Sequence, residues 1–298
     1  MIEVSVVIAT RNRREMLSEA IASVREQAFG AWELIVVDDA STDDTWAYLG
    51  ALTDSRVRAF RQEQNRERSA ARNRGLAEAR APMIMFLDDD DLLRPGTLAN
   101  LVGLLRAHPV AVAAVGACRI LQASGDSVKV YHPSAAHCRS VWRELLFGWW
   151  ANSGQNLYRT GAVQEAGGFD LVVPCEDRKL WLRVAQLGPV CLSPAIAMEY
   201  RQHAGQRKPA DIDQVRRAVW NDFIASLSGA KRREALRVRR AGDLAARSAR
   251  LRERGAFGGA LFAQISAIAT APGLLASPLT GRPLWWSLKK CLLRQPIA

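Results

Sequence analysis

Short apolar runs alternate with stretches whose apolar residues recur at helical spacing through the first 110 or so positions. Residues 4–9 (VSVVIA) form the apolar run expected of a parallel strand covered on both faces. In 14–27, Met16, Leu17, Ala20, Ile21 and Val24 recur three or four positions apart, which predicts a helix. The alternation continues with a strand at 34–37 and a helix at 43–52, with Ser41 or Thr42 near its N-terminus. A strand at 57–60, a helix at 69–79 and a strand at 83–87 follow. Pro95 stands where the first turn of a helix tolerates it, and 98–105 continues that helix. The pattern predicts an α/β fold: a Rossmann-like, mostly parallel open sheet flanked by helices.

Residues 111–200 read as mixed. A strand is expected at 112–118, and an edge strand at 127–131 after the turn Ser124-Gly125-Asp126. A helix at 141–150, an extended segment at 156–158 and a helix at 176–186 follow, with no linker before them. Beyond 210 the chain turns to helices rich in Arg and Ala, at 212–227 and 231–254. Residues 255–281 carry no charge, but Pro272 and Pro278 interrupt them and Ala supplies much of their apolarity, so no transmembrane helix is expected. The expected organisation is a nucleotide-binding domain over 1–205 and a helical C-terminal extension over 206–298.

Composition changes this picture little. The 298 residues, 49% hydrophobic and 24% charged, suit a folded globular protein. The five cysteines contain no CxxC pair and are odd in number, which argues against a thiolate metal site and against a disulfide framework. That usage fits a reducing cytoplasm. The first strand begins almost at once, with no basic segment or cleavage site, so no signal peptide is expected. Charge changes more. Residues 1–200 hold 22 Lys and Arg against 24 Asp and Glu, whereas 201–298 hold 19 against 6. The net charge of +11 therefore belongs to the C-terminal third. Such asymmetry points to an anionic partner or to a solvated helical surface.

In a sheet of this kind ligands sit outside the carboxyl ends of the strands. There the first strand ends in Thr10-Arg11-Asn12-Arg13 and the second in Asp38-Asp39. Arg66, Arg68, Arg72, Asn73 and Arg74 follow the third, and Asp88-Asp89-Asp90-Asp91 end the fourth. Together these supply acceptors for a base and ribose, cations for phosphate and carboxylates for a metal. Four adjacent aspartates repel one another, and a divalent ion with oxygen ligands offsets that repulsion while bridging diphosphate oxygens. Asp91 alone could serve only to cap the following helix. Glu176-Asp177, at a helix start after Gly167-Gly168, can supply a base for an acceptor hydroxyl, or can simply favour a helix N-terminus.

These segments resemble family 2 glycosyltransferases of the GT-A fold. The matching segments are VSVVIATRNR (4–13), ELIVVDDASTDDT (33–45), RSAARNRGLAEA (68–79), FLDDDDLLRP (86–95), GGFD (167–170) and EDRKLWLRVAQLG (176–188). The resemblance covers about residues 2–205. It implies that Thr10, Arg11 and Asn12 lie against the nucleotide, that Asp39 accepts from the pyrimidine ring with Asp38 in support, and that Arg72 lies near the diphosphate. It implies that Asp88 and Asp90 are the outer acids of a DxD motif, with Asp90 a direct ligand of Mn2+ or Mg2+. Asp89 would touch the ribose or sugar, and Asp177 would be the general base. Position 11, often aromatic in the family, is Arg here. His203 lies where many non-processive relatives have a His near the diphosphate or metal, and an ordinary surface histidine is the competing reading.

The QxxRW signature of processive synthases is absent, which points to single-sugar transfer. The expected activity is inverting, metal-dependent transfer from a nucleotide diphosphate sugar, a UDP-sugar first, to a hydroxyl of a glycan or lipid-linked acceptor. A sugar nucleotidylyltransferase would want a Gly-rich loop after the first strand, and Thr10-Arg11-Asn12-Arg13 has none. A nucleotide-sugar-binding protein without catalysis is the non-enzymatic rival. No nucleic-acid partner is expected, because the basic tail lacks a reader motif and interleaved aromatics. Trp149, Trp150 and Asn152 read either as acceptor-cleft residues or as core. The tail, with Leu284-Trp285-Trp286-Ser287-Leu288-Lys289-Lys290 and Leu292-Leu293-Arg294, reads either as an anionic-membrane anchor or as a packing element. A cytoplasmic protein results, peripheral on the inner membrane face under the first of those readings.

Overall fold

The computed structural model describes residues 1–122, 127–131, 137–148, 151–171, 175–206, 211–276 and 280–293. The turn at Ser124-Gly125-Asp126, the pair Trp149-Trp150 and Arg294 lie outside them. The chain forms two compact units, Met1–Arg139 with Ala151–Ala210, and Ser140–Trp150 with Asp211–Ala298.

The first unit begins with the alternation read from the sequence: β1 (Val4–Thr10), α1 (Arg14–Arg25), β2 (Trp32–Asp38), α2 (Thr45–Gly50), β3 (Val57–Arg61), α3 (Glu67–Glu78) and β4 (Met83–Asp88). A two-residue β5 (Leu92–Leu93), α4 (Thr97–Ala107), β6 (Ala113–Leu121), β7 (Ser127–Tyr131) and β8 (His137–Arg139) follow. One sheet runs in the order β3-β2-β1-β4, all parallel. β1 is apolar on successive residues because Val4, Val6 and Ile8 pack on one face while Val7 is buried on the other. On the first face they meet Leu17, Ile21 and Val24 of α1 and Leu98, Leu101 and Leu105 of α4. Each such side chain, taken from water, contributes about 1.5–3 kcal/mol. On the other face α3 comes so close that a Cβ at Gly75 would stand 2.2 Å from Val7 Cγ1. Glycine is therefore required where α3 crosses β1.

The rest of the unit is completed from residues after 150. The short segment expected at 156–158 is β9 (Asn156–Arg159), and it pairs antiparallel with both β4 and β6. β10 (Val190–Arg201) runs parallel to β6 and antiparallel to β5 and β8. Helix 142–147, designated α5, belongs to the second unit; α6 (Thr160–Glu165) and α7 (Glu176–Leu187) belong to the first. The sheet is thus parallel over four strands and mixed beyond them. β10, the longest strand described, has no counterpart in the sequence reading. Pro194 interrupts its pattern, and the ladder to β6 slips between Leu192 and Ile196.

Cys138 and Cys191 face one another on β8 and β10 and are joined by a disulfide. This corrects the expectation drawn from cysteine spacing. The two are 53 positions apart and only the sheet brings them together, so the cysteines give no argument for a reducing compartment.

The second unit holds α5 (Trp142–Phe147), α8 (Ile212–Ser226), α9 (Gly229–Glu253), α10 (Phe257–Thr270) and α11 (Gly281–Leu292). Where the sequence reading set a boundary at 205/206, the compact units divide at 210/211 and group α5 with the C-terminal helices. Gly242 of α9 lets the Phe147 carbonyl approach within 2.7 Å of where a Cβ would be. Arg239 stacks 3.7 Å from the Trp220 ring, and its guanidinium donates to Leu146 O and Asp243. No helix among the described residues is long and apolar enough to cross a membrane.

Candidate active site

A cavity of about 420 Å3 opens at the carboxyl ends of β1, β2 and β4, where the sheet order places the ligand site of such folds. Thr10, Arg11, Asn12, Arg13, Asp39, Arg72, Asp88, Asp89 and Asp90 all line it, with Arg68, Tyr200 and Gln206.

Local geometry explains why the ends of β1 and β2 converge. Asn12 sits at φ 53°, a left-handed conformation that Asn tolerates better than most residues. Its N–H donates to Ser41 Oγ at 2.9 Å, and its Oδ1 accepts from Thr42 N–H at 2.7 Å, tying the two strand ends together. Asp39 is buried and accepts from Arg66 N–H at 2.8 Å, while burial holds its carboxyl above the usual range. Asp38 does not line the cavity. It accepts from Ser41 N–H and pairs with Arg61 at 3.3 Å, so its position is that of a brace.

The aspartate run divides three ways. Asp89 turns to Thr10, whose hydroxyl donates to it at 2.8 Å, and to Arg13 at 2.9 Å. Burial raises its pKa to about 6 against the pull of Arg13. Asp90 Oδ2 accepts from Arg13 at 2.7 Å, and His203 Nε2 lies 3.0 Å from the same oxygen. Asp91 is fully buried. Its Oδ1 accepts from Arg201 N–H, and its Oδ2 has no hydrogen-bond partner. Burial and then the charges of Asp88 and Asp90 push its pKa well up. Asp88, Asp90 and Asp91 bring ligand oxygens within 4.8 Å of one another. An oxygen-only set with a buried, unpartnered carboxylate oxygen fits a hard divalent cation.

Arg72 joins this cluster to α7. Its buried guanidinium donates to Asp88 and, at 2.7 Å, to Glu176, and lies 5.2 Å from the Phe169 ring. Burial alone would lower its pKa, but Asp88, Glu176 and Asp177 more than offset that and keep it charged. Asn73 fixes the GGFD turn, donating to Phe169 O and accepting from Phe169 N–H. Asp177 does not line the large cavity. It lies in a small pocket with Phe86, Asn156, Tyr158, Phe169 and Trp181. Burial and the neighbouring Glu176 raise its pKa. A partly desolvated carboxylate of this kind is a stronger base than a free one.

Sequence reasoning gave no role to Arg13, Tyr200, Gln206 or Glu176's hold on Arg72. Arg13 stood in a cited segment, but Tyr200 and Gln206 reach the site only through β10. Asn152 sits before a one-turn helix, where its N–H donates to Gln155 Oε1 at 2.7 Å.

Residues 5–164 match the profile of Glycosyl transferase family 2. The chain is 38% identical over 105 residues to the GalNAc(5)-diNAcBac-PP-undecaprenol beta-1,3-glucosyltransferase of Campylobacter jejuni, an overlap of 34% of each chain. It is 31% identical over 107 residues to the UDP-Glc:alpha-D-GlcNAc-diphosphoundecaprenol beta-1,3-glucosyltransferase WfaP of Escherichia coli, covering 36% of this chain and 43% of that one. The matches span between 26% and 43% of the length of the curated relatives. The fold is similar to S. aureus TarS 1-349, solved in complex with UDP-GlcNAc, with a TM-score of 0.68 and 17% identity over 99% of this chain and 93% of that one. With the family profile covering more than half its length and the GT-A fold around the cavity, this chain belongs to glycosyl transferase family 2.

Proposed function

We propose that the chain transfers a single sugar, with inversion, from a UDP-sugar to a hydroxyl of a glycan or lipid-linked acceptor at a membrane surface. The observation that carries this reading is the cavity that unites Asp39, Arg72, Asp88, Asp89 and Asp90, with Asp177 on the same α7 turn as Arg72's partner Glu176. Thr10, Arg11 and Asn12 lie along the nucleotide, Asp39 accepts from the base, and Asp89 reaches the ribose or sugar. Asp88 and Asp90 hold Mn2+ or Mg2+, with His203 in contact with Asp90 and Asp91 as a further oxygen donor. Such an ion, when bound, neutralises charge on the diphosphate.

Asp177 takes the proton of the acceptor hydroxyl. The oxygen then forms its bond to the anomeric carbon as the bond to the diphosphate breaks, and the electron pair leaves with the diphosphate. Attack opposite the leaving group inverts the anomeric configuration. The relatives named for UDP-glucose and for undecaprenyl diphosphate acceptors support the choice of donor and of a lipid-linked acceptor.

The test is a panel of nucleotide sugars offered to the purified protein with Mn2+ or Mg2+, reading released nucleotide with and without diphospho-lipid acceptors. Release from a UDP-sugar, increased by an acceptor and abolished by chelator, is expected. No release from any member of the panel would overturn the reading.

A further inference from the structure

The outer faces of α10 and α11 carry large apolar side chains that the function above leaves unused. α10 buries Ala260, Ala263, Gln264 and Ala267, whereas Phe262 is 75% and Ile265 52% exposed. α11 buries Leu284, Lys290 and Cys291, whereas Trp285 is 57%, Trp286 58%, Leu292 62% and, just past the helix, Leu293 55% exposed. The two helices are pinned to each other: Gln264 Nε2 donates to Leu284 O at 3.1 Å, and Ser287 Oγ donates to Gln264 Oε1 at 3.1 Å. Their bare faces are thus held rather than dangling. Exposed apolar surface on this scale marks a docking site.

We propose that these faces of α10 and α11 dock the protein on an anionic lipid bilayer. The proposal rests on the reading above in one respect, that a lipid-linked acceptor makes such docking useful. Charge identifies the occupant. Residues 254–298 contain Arg254, Arg282, Lys289, Lys290 and Arg294 and no Asp or Glu. Lys289 is exposed, whereas Lys290 is buried with its Nζ 3.9 Å from the Trp286 ring, so among the described side chains Lys289 is the α11 cation open to a headgroup. Tryptophan beside cations suits the headgroup level, where the ring meets the acyl boundary and the ammonium meets phosphate. α9 adds exposed Arg240, Arg247 and Arg250 to the same unit. A second copy of the α10 and α11 faces would set like charges against each other, since residues 254–298 hold no carboxylate to pair them, although α9 also exposes Asp243 and Glu253. At 14 residues α10 measures about 21 Å, short of the roughly 30 Å hydrocarbon core. It lies along the membrane and does not cross it.

The test is flotation of the full chain at low salt with phosphatidylcholine vesicles and with phosphatidylcholine–phosphatidylglycerol vesicles. Trp285→Ser/Leu292→Ser and Phe262→Ser/Ile265→Ser accompany the wild type, since each pair removes exposed side chains and leaves the core intact. Roughly tenfold more protein should float with anionic than with neutral vesicles, the difference should shrink as salt rises, and each double variant should lose most of it. Wild-type protein that ignores anionic vesicles, or variants that float as well as wild type, would overturn the proposal. So would a concentration-dependent dimer, seen by light scattering without lipid, that the same substitutions dissolve. Nucleotide release measured without vesicles should be equal in wild type and variants. Flotation with no nucleotide release from any donor would keep the docking surface while sinking glycosyl transfer.

Discussion

Replacing Arg72 with Met tests whether one side chain holds the aspartate run and α7 together. The side chain is 4% exposed and bridges Asp88 and Glu176, and Glu176 is itself 7% exposed. Met preserves much of the stem's packing but removes the charge, leaving Asp88 beside Glu176 with only the half-exposed Arg68, at 3.5 Å from Glu176, to offset them. Breaking a buried ion pair by deleting one partner costs about 3–5 kcal/mol. Loss of the contact with the Phe169 ring adds about 0.5–1 kcal/mol. At roughly 2–4 °C per kcal/mol for a domain of this size, Tm should fall by on the order of 10 °C. The assay is thermal unfolding followed by circular dichroism, in chelator so that no cation substitutes for the guanidinium. Glu176→Gln in the Arg72→Met background removes one stranded charge, so the double variant should recover part of the loss, with a coupling of about 1–3 kcal/mol. Arg72→Lys should fall between, because an ammonium lacks the planar fork that serves two carboxylates at once. A Tm within 2 °C of wild type, as an order of magnitude for one surface pair, or strict additivity of Arg72→Met and Glu176→Gln, would refute the clamp.

UDP with Mn2+ should stabilise the wild type by about 2.7 kcal/mol at a hundredfold excess over Kd, read as a rise in Tm. Asp90→Ala should remain folded and lose the metal-dependent part, and an unchanged rise would remove Asp90 from the ion site. Asp177→Asn should lower turnover roughly 10²–10⁴-fold while leaving donor affinity in place. Because burial and Glu176 raise the folded pKa of Asp177, the acidic limb of the wild-type kcat/KM profile should lie above the ordinary carboxylate range. The sign for stability follows: the ionised form is penalised in the fold above that raised pKa, and no penalty exists below the unfolded value. Asp177→Asn should therefore match or exceed wild-type Tm near pH 8 and converge with it as pH falls to about 4. Near-normal turnover would move the base elsewhere.

What the sequence disclosed depended on how local the signal was. β1, β2 and β4 were legible because both their faces are buried, and α1 and α3 because their buried positions recur at helical spacing. The run Asp88–Asp91 was legible as a candidate ion site because four like charges have few other reasons to follow a buried strand, and the fold brings Asp88, Asp90 and Asp91 together. Its internal division was not. Asp91, adequately explained as a helix cap, is the one with a buried orphan oxygen, because Arg201 meets it from a strand more than a hundred positions away. Asp38 looked like Asp39, and only the turn geometry at Ser41 separates a brace from a lining residue. β10 was invisible behind Pro194 and a slipped register. The Cys138–Cys191 bond and the company kept by residues 140–150 depend on tertiary neighbours that no window of sequence contains.

The position of β10 in the sheet carries a consequence for how the protein is made. β5, directly after the aspartates, has β10 as its neighbour, with Met198 opposite Leu93 and Glu199 opposite Leu92. Arg201 then closes on Asp91 through its backbone and on Asp90 O through its side chain. During synthesis the four parallel strands leave the ribosome early, with Thr10, Arg13 and Arg72 already available to Asp88, Asp89 and Asp90, but Asp91 waits for about a hundred further residues before Arg201 reaches it. Loop closure of that length is slow, and domains form as units while the chain emerges. A nascent chain halted before Val190 would therefore present a sheet edge and leave Asp91 without its strand partner, and would complete the aspartate cluster only in the last strand's wake.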